Sequence, residues 1–373
     1  MNIKKNIWAL ATALVFMTAF TNCSDWTDVE AEKIVDYDNT EVANPDSYYK
    51  ALREYKKSEH SVSFGWYSGW GEKGSSTTGM LTGLPDSMDL VSIWSNGTNL
   101  SKGKIEDLHF VQNVKGTKIL ICTFIQEIGK GFTPAEYNTD EATREAFWGW
   151  VDGDEAAIKG SMEKYAKAIM DTINKYGYDG LDIDFEPTVD AYAGKLDENQ
   201  TYVTWLLDIL SKYLGPQSNS GKLFVIDGQL NLVPASTGIY FDYLIAQAYS
   251  VSSGSPSPTA GTTESNMETR LNSVISRFSG VLTTEEVTNK FIVTENLESA
   301  IDALNGGYFW TLRNGVRQDK AECPSMLGMA RWEPANGFRK GGFGGYRFDA
   351  EAVNKPSYKW MRRGIQAQNP AVN

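Results

Sequence analysis

The chain reads as an α/β protein of one domain built on a parallel sheet. Short apolar runs alternate with longer stretches of helical periodicity from residue 61 onward. There are eight such runs, and several are apolar throughout, as expected of strands covered on both faces. The 373 residues, 41% hydrophobic and 12% aromatic, suffice for one full core. Eight strands suit a closed barrel, although an open doubly wound sheet gives the same alternation.

Residues 1–22 have the pattern of an export signal. Lys4 and Lys5 form a positive start, and Ile7 to Phe20 form an apolar stretch too short to span a membrane. Cys23 follows directly and resembles the lipidation site of a bacterial lipoprotein, although Phe20-Thr21-Asn22 departs from the usual leucine and small residues. Cleavage as an ordinary secretory signal is the alternative. Residues 23–56 read as the lipidated cysteine and a polar tether with one short helix. Asp25, Asp28, Glu30 and Glu32 resemble the acidic export tract of Bacteroidetes surface lipoproteins. The expected location is the cell envelope, as a surface-exposed outer-membrane lipoprotein, with a secreted or periplasmic protein as the alternative. The folded domain is expected over 57–373.

Within that domain the strands are expected, in order, at 61–66, 90–94, 118–124, 180–186, 222–227, 243–249, 291–295 and 342–348. Between the third and fourth, Ile158, Met162, Tyr165, Ile169 and Ile173 recur at spacings of three or four, which predicts an amphipathic helix over 155–176. Further helices are expected from about 198 to Gly215-Pro216, over 263–278 and over 356–367. Residues 252–263, rich in Ser, Gly, Pro and Thr, read as a loop. Residues 296–341 read as helix and loop, too short for a separate insertion domain.

The fourth strand is the most informative. Tyr178-Asp-Gly-Leu-Asp-Ile-Asp-Phe-Glu-Pro187 alternates acidic and large apolar residues. Asp182, Asp184 and Glu186 therefore share one face, roughly 6.6 Å apart, and Leu181, Ile183 and Phe185 share the other. Like charges lined up in this way push pKa values apart, which acid–base chemistry requires. Pro187 holds Glu186 extended at the strand's C-terminal end.

Asp179 to Glu186 resembles the DGxDxDxE signature of glycoside hydrolase family 18 at every fixed position. The resemblance implies a (β/α)8 TIM barrel with the signature on strand four, and a retaining mechanism in which the substrate's own acetamide is the nucleophile, through an oxazolinium intermediate. It implies that Glu186 is the general acid and base, that Asp184 orients the acetamide, and that Asp182 shares protonation with Asp184. Asp179 would be structural. Gln247 and Tyr249 on strand six resemble the Gln-x-Tyr of the endo-β-N-acetylglucosaminidase branch, where chitinases more often carry Met-x-Tyr followed by Asp. Trp66, Tyr67 and Trp70, which follow strand one, and Trp94, which ends strand two, are candidate stacking surfaces for sugar rings. Glu295, Asn296 and Tyr346 are candidates for the rim. Phe147-Trp148-Gly149-Trp150 is either a glycan-contacting loop or internal packing.

Other chemistries are disfavoured. A net charge of −12 opposes nucleic acid or an anionic membrane surface as a partner. Only His60 and His109 are available for a histidine-based mechanism, and neither lies in a recognisable nucleophile setting. No zinc-site spacing occurs, and no cofactor is expected. Cys122 and Cys323 are expected as free thiols. The reading is an endo-β-N-acetylglucosaminidase acting on the GlcNAc-β1,4-GlcNAc core of N-linked glycans, a monomer touching the membrane only through its lipid. A chitinase, or a glycan-binding lipoprotein without activity, are the alternatives.

Overall fold

A computed structural model describes residues 44–72, 77–191, 194–251 and 259–370. The export signal and Cys23 lie outside the described residues. Eight parallel strands close into a barrel in the order β1-β10-β8-β6-β5-β4-β3-β2. They are β1 Val62–Tyr67, β2 Leu90–Ile93, β3 Lys118–Phe124, β4 Gly180–Phe185, β5 Leu223–Gly228, β6 Tyr243–Gln247, β8 Phe291–Asn296 and β10 Gly342–Tyr346. The open-sheet alternative is thereby excluded.

The helices are α1 Asp46–Lys57, α2 Lys102–Phe110, α3 Glu141–Trp148, α4 Glu155–Tyr176, α5 Gln200–Leu210, α6 Glu264–Phe278, α7 Thr284–Lys290, α8 Ala300–Asn305, α9 Ser325–Arg331 and α10 Lys359–Gln368. The expected span of α4 coincides with the observed one because both ends are marked. Asp154 accepts the amides of Ala156 and Ala157, and Gly177 stops the helix at φ +77°. Among the described residues, no helix is long and apolar enough to cross a membrane.

The structure revises two expectations. The folded unit begins before residue 57, because α1 docks on the barrel: Arg53 donates to the Val114 carbonyl and Lys56 to the Met88 carbonyl. Between β5 and β6, where the sequence marks no helix, the chain makes 3₁₀ turns at Leu230–Leu232 and Ala235–Tyr240. The stretch 296–341 is not only helix and loop. Its short strand β9 (Phe309–Thr311) pairs in parallel with β7 (Gly261–Thr263) from the segment after β6.

Side chains on each barrel strand alternate between lumen and helix layer. Val62, Phe64, Trp66, Leu90, Leu120, Val225, Ile245 and Ile292 fill the lumen. Leu181, Ile183 and Phe185 pack outward with Ile158, Met162, Ile169 and Ile173 of α4 in the larger core. Asp182 and Asp184 therefore point into the barrel.

Three acids at the opposite, N-terminal end of the barrel act alike. Asp89, Asp179 and Asp242 each precede an even-numbered strand, and each accepts the amide of the second residue on the strand before: Ser63, Ile119 and Phe224. Asp179 also takes hydrogen bonds from Gln112 and Lys118. These contacts hold the register from which the opposite end is built.

Candidate active site

The inward positions at the C-terminal ends of the strands converge on one cavity of about 340 Å³. Trp66, Trp94, Phe124, Asp184, Glu186, Val189, Gln247, Tyr249, Asn296, Glu298 and Tyr346 line it. Catalytic groups of (β/α)8 barrels lie at this end. Of the residues singled out in the sequence, Asp184, Glu186, Gln247, Tyr249, Trp66, Trp94, Asn296 and Tyr346 are brought together here.

Asp182 lies beneath, fully buried. Its Oδ2 accepts from the Trp66 indole (2.9 Å) and the Ser92 hydroxyl (2.7 Å). The Trp66 indole N–H is thus committed to holding an acid, while its ring contributes to the cavity wall. Asp184, one step up the strand, faces Gln247, whose Nε2 stands 3.3 Å from its Oδ1. The Trp94 side chain also hydrogen-bonds Asp184. Glu186 follows the last residue of β4 and is partly exposed to the cavity.

Burial raises all three carboxyl pKa values. For Asp184 the rise is large, because the charges of Glu186 and Asp182 add to the loss of solvent. For Asp182 the hydrogen bonds from Ser92 and Trp66 oppose the rise. For Glu186 burial dominates, offset by a hydrogen bond from Gln247. An acid held above its ordinary range, at the open end of a row of carboxyls, suits proton donation to a leaving group.

Aromatic rings wall the cavity. Tyr346 lies 5.6 Å from Trp94, 6.1 Å from Tyr249 and 6.2 Å from Trp66, centroid to centroid. Such a wall presents ring faces and edges to the apolar C–H surface of a sugar.

Tyr67 does not belong to it. It is the next residue after inward-facing Trp66, so it turns outward, packs against Phe348 and is fully buried. Glu295 fails for the same reason: Ile292, Thr294 and Asn296 share the other parity. Glu295 sits behind the wall, where it accepts the amides of Ser250 and Asn296 and the Ser250 hydroxyl, bracing the end of β6. Trp70 donates to Asp107 of α2. Trp148 donates to Thr133 and Trp150 to Asp152, both from buried positions, so this pair is internal packing.

Sequence reading also missed Asp227. It pairs in register with Asp184 across β4 and β5, is fully buried, and accepts from Gln247 Nε2 at 2.8 Å. Its signal was present: an acid closing an otherwise apolar strand, two residues after inward-facing Val225. Cys122, Asp182 and Asp227 place one ligand atom each within 4.8 Å of one another. Burial and the carboxylates of Asp182, Asp227 and Asp184 push the Cys122 thiol well up, which opposes the thiolate a metal would need. Cys122 and Cys323 are both free.

Residues 27–367 match the family model for glycoside hydrolase family 18, BT1044-like. The chain is 25% identical over 343 residues to endo-beta-N-acetylglucosaminidase F2 of Elizabethkingia meningoseptica, covering 86% of this chain and 85% of the relative. The fold superposes on a selenomethionyl variant of BT1044 with a TM-score of 0.71 at 30% identity, over 87% of this chain and 93% of the other. It also resembles an endo-beta-N-acetylglucosaminidase of Cordyceps militaris, with a TM-score of 0.58 at 22% identity over 88% and 97% of the two chains.

Proposed function

This chain belongs to glycoside hydrolase family 18, and from that premise we propose that it is an endo-β-N-acetylglucosaminidase cutting the GlcNAc-β1,4-GlcNAc core of N-linked glycans with retention. One observation carries the reading. Asp184, Glu186, Gln247 and Tyr249 meet at one end of an aromatic-walled cavity, as a sugar that supplies its own acetamide nucleophile requires. Glu186 protonates the departing glycosidic oxygen, and then takes a proton from the incoming water. Asp184 bears on the acetamide as it closes on the anomeric carbon, and its charge stabilises the positive nitrogen that forms. Gln247 and Tyr249 hold the acetamide in place. The named activity of the Elizabethkingia relative supports this choice of bond.

Incubation with an N-glycosylated protein, followed by mass spectrometry, tests it. One GlcNAc should stay on each asparagine. Release of chitobiose from chitin with the glycoprotein untouched would make the chain a chitinase instead. We further propose that Cys23 is lipidated and anchors the enzyme to the cell envelope. A fatty-acid label should enter the full-length chain and be absent from Cys23→Ala; equal labelling of both rejects the anchor.

A further inference from the structure

Three buried carboxyls crowd the lumen below Glu186, and two of their oxygens have no hydrogen-bond donor in ordinary geometry among the described residues: Asp182 Oδ1 and Asp227 Oδ2. Asp227 lies within hydrogen-bonding reach of both Asp182 and Asp184, and it is with Asp182 that an orphan oxygen stands on each side. Asp182 and Asp227 are both acceptors when ionised; the Cys122 thiol also bonds Asp182, but Asp227 Oδ2 finds a partner only if one acid of the pair carries a proton. A pair of adjacent ionised carboxylates cut off from water is also costly.

The surroundings decide which acid holds it. Asp182 Oδ2 takes two donors, from Trp66 and Ser92, and hydrogen bonds to the charged form favour ionisation. Asp227 has one donor, Gln247 Nε2 on Oδ1. The other titratable groups facing Asp227 are Asp184 of β4, Glu186 just beyond it, Cys122 of β3 and Tyr249 beyond β6. None is a cation that would stabilise an Asp227 anion.

We propose that Asp227 is a positioning residue that keeps a proton on Oδ2 throughout turnover, donates it to Asp182 Oδ1, and with Oδ1 holds the Gln247 amide. The arrangement has two consequences. Asp182 stays ionised beneath Asp184, so its charge continues to raise the Asp184 pKa. Gln247 keeps its NH₂ turned inward, which leaves its carbonyl for the substrate's acetamide N–H. The second consequence rests on the function proposed above; the protonation of Asp227 does not.

The test has two arms. In wild-type protein labelled with ¹³C at aspartate Cγ and free of substrate, at least one buried carboxyl should stay at the protonated chemical shift at neutral pH, well above the ordinary carboxyl range. If every aspartate is ionised there, the proposal falls, whatever the substrate proves to be. In the folded variants, Asp227→Ala should lower kcat on the order of 100-fold. Asp227→Asn, which can still donate to Asp182 and accept from Gln247, should recover to within about tenfold of wild type and lose that protonated resonance. An Asn variant as impaired as the Ala variant, or one that keeps the resonance, overturns the assignment.

Discussion

Gln247 Nε2 stands 3.3 Å from Asp184 Oδ1, so the amide of β6 and the acid of β4 meet across the barrel lumen. The same nitrogen reaches Asp227 at 2.8 Å. The amide also bonds Glu186, so its two hydrogens are shared among three carboxyls. Gln247→Leu removes these bonds and leaves buried acceptors unpaired, at about 1–3 kcal/mol. Expressed in the transition state, that is on the order of 10- to 100-fold in kcat. A loss below about twofold, measured on a defined glycopeptide, would show that the contact is idle in turnover.

Glu186→Gln removes the proton donor while keeping shape. The rate should fall by about 10²–10⁴-fold. Glycan binding, measured by calorimetry on the variant, should persist. Full activity would assign the acid elsewhere.

The pH dependence follows from the same residue. Burial lifts the Glu186 pKa, and the acid works only while protonated. Activity is therefore lost as pH rises through this lifted value, and the alkaline limb of kcat/KM lies above the ordinary carboxyl range. Because Gln247 donates to Glu186 and so favours its ionised form, Gln247→Leu should move that limb to higher pH. A limb that moves downward contradicts the assignment.

The acidic row costs stability. Asp184 has a folded pKa raised well above its unfolded value, so its favourable contribution is complete below about pH 4 and is lost as pH rises through the folded value. Asp184→Asn should stabilise the fold at neutral pH by about 1–2 kcal/mol, a gain that shrinks on acidification, while activity drops. Thermal melts at two pH values decide it. A lower Tm at neutral pH would mean that the carboxylate is better paired than its surroundings indicate.

Asp179 belongs to the opposite end. Asp179→Ala orphans the Ile119 amide and breaks the ion pair with Lys118 (2.9 Å). Denaturant unfolding should show a loss of about 1–3 kcal/mol, with kcat little changed. A variant of normal stability but reduced kcat would place Asp179 in the chemistry instead.

The sequence determined the strand that carries the chemistry, the helix α4 that covers it and the count of barrel strands. These rest on local periodicity, and in β4 the alternation of Asp and large apolar residues also fixes which face is which. Tertiary structure decided facing wherever both faces of a strand are apolar or aromatic. In β1 and β8 no polar–apolar alternation marks the lumen side, so Trp66 and Tyr67 were indistinguishable, as were Glu295 and Asn296. One residue of phase sent Tyr67 and Glu295 into the helix layer. Asp227 needed its neighbours as well: an acid at a strand end gains meaning only when the register sets it beside Asp184 and under Gln247. The closure of the barrel gathers residues from β4, β5 and β6 around one amide, and that meeting is a property of pairing between strands, which no single stretch of sequence encodes.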